Sequence, residues 1–118
     1  MGALTEAVET VKSYRNTIRT ALIDLGTISD SSANFKACAS AMSTIQTNRN
    51  NIKSYLSSMG IAATTLATCV TGVNTILTKF QTIRTKLVNL GIGGITTSST
   101  LDACTTAINN LNTYNGEM

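Results

Sequence analysis

Apolar residues recur along this chain at alternating steps of four and three, and the same register is written three times and begun a fourth. One run reads Cys38, Met42, Ile45, Arg49, Ile52, Leu56, Met59 and then Gly60. Another reads Cys69, Val73, Ile76, Phe80, Ile83, Leu87, Leu90 and then Gly91, and it superimposes on the first without a gap. The opening segment fits the template as Leu4, Val8, Val11, Arg15, Ile18, Leu22, Leu25, Gly26, and the last segment starts it with Cys104, Ile108 and Leu111. A four–three spacing held through whole segments is the apolar seam of a helix in a left-handed coil; a strand would need apolar residues at every second position.

Local signals place the ends of these helices. Proline is absent, so nothing forces a break inside a segment. Gly26, Gly60 and Gly91 each follow a seam and suit the left-handed residue that closes a helix. The spacing predicts helices from near Ala3 to Leu25, from about Ala33 to Met59, and from Ala63 or Thr64 to Leu90. Thr64 and Thr65 are candidate caps for the third helix. A fourth, shorter helix is expected from about Thr100 to Tyr114. Ser99-Thr100-Leu101-Asp102 reads as its capping box and Asn115-Gly116 as its end. Gly72 stands inside the third helix at a cost of about 1 kcal/mol relative to Ala, and either close helix approach or neutral drift accounts for it.

The resulting expectation is an all-α chain: an antiparallel up-down bundle of three long helices and a short fourth, built from heptad-patterned repeats. The repeat units are about 3–26, 33–60, 63–91 and 99–115, within a single domain spanning 1–118. Ile52 and Ile83 are expected in its core. The short fourth helix would leave an apolar groove for a partner helix or a second copy, unless three helices close among themselves. Threonine runs against the helical reading, because β-branched residues favour strands; period decides for helices, with most Thr outside the seam.

Composition narrows the chemistry. Only 13% of residues are charged, against about a quarter in ordinary domains. Thr, Ser and Asn supply the polarity instead, which suits either a surface packed in an assembly or a compositional bias. The net charge of +3 comes without any basic run, and this argues against nucleic-acid binding. No stretch is apolar enough for a membrane span, and the N-terminus lacks the features of a signal peptide.

The chain contains no His, so neither a Ser-His-Asp nor a Cys-His nucleophile system is available. The acids Glu6, Glu9, Asp24, Asp30, Asp102 and Glu117 are scattered, and Gly91-Ile92-Gly93-Gly94 lacks the Lys-Ser/Thr of a phosphate loop. Cys38, Cys69 and Cys104 share one seam slot and read as small buried hydrophobes; no C-x-x-C pair suggests a metal. A Cys38–Cys104 disulfide is open but not indicated. No catalytic, cofactor-binding or metal-binding residue is expected, and no cofactor. Arg15 and Arg49 stand at seam positions where the third segment has Phe80. Each either fixes register or partner choice or, the favoured reading, lays its stem along apolar surface with the guanidinium in water.

The stretch Ile83-x-x-x-Leu87-x-x-Leu90-Gly91-Ile92-x-Gly94-x-Thr96-x-x-Ser99-Thr100-Leu101-x-x-Cys104-x-x-Ala107-Ile108-x-x-Leu111 resembles the helix–Gly–Thr/Ser–Leu–helix units of small structural proteins of tailed bacteriophages. It is echoed from Leu56 to Cys69 and from Leu22 to Cys38, with different linker lengths and with Leu4 in place of the first Cys. The resemblance implies a multi-copy virion component of tail, fibre, neck or head decoration, with no enzymatic activity and no particular site residues. It also implies synthesis in the host cytoplasm and partners that are the chain itself or other virion structural proteins, not a small-molecule substrate. The alternative is a free helical adaptor or regulatory protein that binds a partner helix.

Overall fold

The computed structural model describes residues 2–117, with side chains described from 2 to 111. These residues form four helices and no strands: α1 (Gly2–Asp24), α2 (Phe35–Ser58), α3 (Leu66–Asn89) and α4 (Leu101–Glu117). The all-helical reading therefore holds for the described residues. They divide into two compact units, Met1–Gly60 with α1 and α2 and Ile61–Met118 with α3 and α4.

The helix ends follow from identifiable residues. Gly26, Gly60 and Gly91 adopt φ of +78°, +78° and +75°, the region closed to most side chains, as their place after each seam requires. At Gly26 the closure is a Schellman arrangement: its N–H donates to the Ile23 carbonyl at 3.0 Å and Thr27 N–H donates to the Leu22 carbonyl at 3.0 Å. The same pair recurs at Gly91 and Ile92, onto Val88 and Leu87. Asn34 caps α2, its side chain accepting from Ala37 N–H at 2.9 Å.

Thr65 caps α3 in a reciprocal box with Thr68, a short hydroxyl doing the work usually given to Glu. The box expected at Ser99 is not the one formed. Thr100 is the capping oxygen of α4, accepting from Ala103 N–H at 3.1 Å, and Ser99 Oγ instead accepts from Thr96 N–H within the loop. α4 also runs on through Asn115-Gly116 to Glu117, where a glycine in a last turn costs little. The side chains of Tyr114 and Asn115 lie outside the described residues.

Threonine is accommodated by back-bonding. Thr10, Thr17 and Thr20 donate to the carbonyls four residues earlier in α1, and Thr71, Thr75, Thr78 and Thr82 do the same in α3. Each hydroxyl is thus satisfied by its own helix, which turns a β-branched polar residue into a small methyl-bearing one.

In the first unit α1 and α2 meet through Leu22, Cys38 and Ala41, all buried, with Ile28 and Ile45 packed against them. Small residues at 38 and 41 let the first turns of α2 come close to Leu22, whose burial contributes about 2 kcal/mol. Leu87, Cys104 and Ala107 are the corresponding buried residues of the second unit. Cys69 and Gly72 are buried in α3, and Leu56 in α2. The three thiols are free.

Candidate interaction surface

The feature that sets these helices apart is how little of the seam they cover. Val8, Val11 and Ile18 stay 45%, 51% and 42% exposed, and Leu4 66%. Met42 in α2 and Val73 and Ile83 in α3 are also exposed, as are Met59 and Leu90 at the C-caps of these two helices. Ile83, expected in a core, is half open to solvent, while Ile52 is half-buried. The reason is geometric. Burial concentrates where small residues follow a helix start, at Cys38 and Ala41, Cys69 and Gly72, and Cys104 and Ala107, and at Leu22, Leu56 and Leu87 near the helix ends. Contiguous exposed apolar positions on one helix face mark a surface suited to docking.

Two arginines hold the covered ends. Arg19 is buried; its Nη1 donates to the Ser31 carbonyl at 2.6 Å and its Nη2 to Asn16 Oδ1 at 2.6 Å. Arg84 does the equivalent work in the second unit, donating from Nη1 to the Ser99 carbonyl at 3.0 Å while stacked over the Phe80 ring at 5.0 Å. Each arginine ties a helix to the loop that leads into the next. The seam pattern alone did not single them out. The usable signal was the shared Arg-x-x-Leu-x-x-Leu-Gly at 19–26 and 84–91.

Arg15 and Arg49, the charged residues of the seam, are half-buried. Their Nη2 atoms reach only the neighbouring amides of Asn16 and Asn50, at 3.5 and 3.2 Å, and their buried Nε atoms have no hydrogen-bond partner. Lys12 and Glu9 form an exposed pair at 3.5 Å. Asp30 sits in the loop ahead of α2 and is held below the usual carboxylate range. The Ser32 hydroxyl donates to it at 2.7 Å and Ser32 N–H at 2.8 Å, and Arg19 adds a favourable charge.

A shallow depression of about 810 Å³ runs along α1 from Glu9 to Asp24 and is lined by α1 residues alone. With a single wall among the described residues it does not enclose a small molecule as ligand clefts do. Among the described residues no group of His, Cys, Asp and Glu is placed to hold a metal ion, and no helix is long and apolar enough to cross a membrane. No family model, curated protein or solved structure matches the chain.

Proposed function

We propose that the chain is a non-enzymatic structural component of a phage-like particle, which holds its neighbours through helix faces. The observation that carries this reading is the partly uncovered seam: Leu4, Val8, Val11 and Ile18 extend the register of buried Leu22 but remain exposed and lie outside the buried cluster of their helix pair. Apolar positions in register with a packed interface are the natural place for further helices to add.

In the assembled state the seams pack against one another in an antiparallel up-down arrangement, completed by helices of the same chain or of other virion proteins. The neutral, back-bonded Thr faces support this, because a hydroxyl already satisfied by its own helix is easily buried against a neighbour. Particles purified on a density gradient from the source culture provide the test, by quantitative mass spectrometry. The reading expects this chain in particle fractions at a copy number comparable with the other structural proteins. Its confinement to the soluble fraction would leave the free-adaptor reading in its place.

A further inference from the structure

The charges of this chain are sorted with respect to the seam. In a seven-residue repeat two slots border the seam; in α1 they follow Val11 or Ile18 and precede Arg15 or Leu22. Of the nine Lys and Arg residues only Lys36 lies away from the seam and its borders. In the first unit Arg15 and Arg49 are on the seam, and Lys12, Arg19 and Lys53 border it. In the second unit Lys79, Arg84 and Lys86 border it. None of the six acids does: Glu6, Glu9, Asp24, Asp102 and Glu117 occupy outer slots, and Asp30 is in a loop.

We infer that the uncovered seam of the unit Met1–Gly60 receives an amphipathic helix of another protein, one whose own seam borders carry Asp and Glu. The inference deepens the proposed function and rests on its claim that the seam is a docking face. Charge complementarity selects the occupant. A second copy of this chain would bring only cations, Lys12, Arg19 and Lys53, to the charged borders of the paired seams and no acid to meet them, an arrangement that steers coiled helices away from self-pairing. An acidic helix would instead give the half-buried guanidinium groups of Arg15 and Arg49, whose Nη2 atoms reach only the neighbouring Asn16 and Asn50 amides, the carboxylates that their own unit does not provide. Nucleic acid offers phosphates but no apolar surface for Val8, Val11 and Ile18, which lie among the cations. A lipid surface does not call for one register kept along two helices.

The probes are three synthetic four-heptad helical peptides that share a Leu/Ile seam and carry Glu, Gln or Lys at the border slots. Each is titrated by fluorescence anisotropy against the full chain with thiols reduced. The Glu peptide should bind at least about tenfold tighter than the Gln peptide at low salt, lose most of that advantage at about 0.5 M salt, and outcompete the Lys peptide entirely. Arg15→Gln with Arg49→Gln should remove the advantage and leave Gln-peptide binding unchanged. Lys12→Gln with Lys53→Gln, at positions that make no bond between helices, should reduce it in the same direction. Equal binding of Glu and Gln peptides would overturn the acidic partner and leave the docking face intact, whereas no binding of any peptide would overturn both. Tighter binding to anionic vesicles or duplex DNA than to the Glu peptide, or self-association at low salt that Val11→Asp abolishes, would also overturn the inference.

Discussion

Replacing Leu22 by Ala is the sharpest perturbation of the first helix pair. Leu22 is 2% exposed and is the largest member of a buried cluster whose other residues, Cys38 and Ala41, are small. Truncating a buried Leu costs about 2–5 kcal/mol, the spread reflecting how far the cavity collapses. The surrounding Ile28 and Ile45 are only partly buried and are free to shift inward, which places the cost in the lower half, about 2–3 kcal/mol. For a unit of this size each kcal/mol moves the midpoint by about 4–8 °C, so a drop of roughly 10–20 °C is expected. Circular dichroism at 222 nm on heating, with urea titration alongside, measures it. Leu4→Ala is the control: Leu4 is 66% exposed on the same seam, and its truncation should stay within about 0.5 kcal/mol in the free chain. If Leu22→Ala costs no more than Leu4→Ala, the packing described for this unit is wrong.

Other expectations follow from the same contacts. Arg19→Met removes the donor to the Ser31 carbonyl and should destabilise the first unit by about 1.5–3 kcal/mol, read from its urea midpoint. Gly26→Ala and Gly91→Ala each force a side chain into left-handed backbone and should cost about 1 kcal/mol, whereas Ala at Gly93, whose φ is not positive, should be close to neutral. Asp30 has a lowered pKa when folded, so its contribution is present above the ordinary aspartate value of 3.8 and is lost as pH falls through the lower folded value. Ser32→Ala should raise the Asp30 midpoint, followed by NMR titration, and an unchanged midpoint would remove Ser32 as the cause.

The helices were legible in the sequence because two signals agreed: the four–three apolar period and the glycines that follow each seam. Those glycines do adopt positive φ, and Thr65 does cap α3. What period does not report is how much of a seam is covered. Ile83 and Leu87 look alike in the register, yet one is half exposed and the other buried. The difference lies in what stands opposite. Burial falls on the small residues in the first turns of α2, α3 and α4, Cys38 and Ala41, Cys69 and Gly72, and Cys104 and Ala107, and in the sequence that spacing reads as a thiol slot and not as a contact. Arg19 and Arg84 were hidden for a similar reason: a basic residue beside a seam reads as solvated, and its bond to a loop carbonyl appears only when the loop is placed. The proposed docking face was legible in part, since Arg15 and Arg49 stand out as charges in an apolar register, but their unpartnered Nε atoms appear only in the folded structure.

Hydroxyl-radical footprinting of this chain, free and within purified particles, bears most directly on the claim that the seam is the working surface. Side-chain oxidation read by mass spectrometry should show Leu4, Val8, Val11 and Ile18 reactive in the free chain and protected in the particle, with Leu22 protected in both. Seam residues that stay reactive in the particle, while protection appears on the Thr71, Thr75, Thr78 and Thr82 face, would contradict the account.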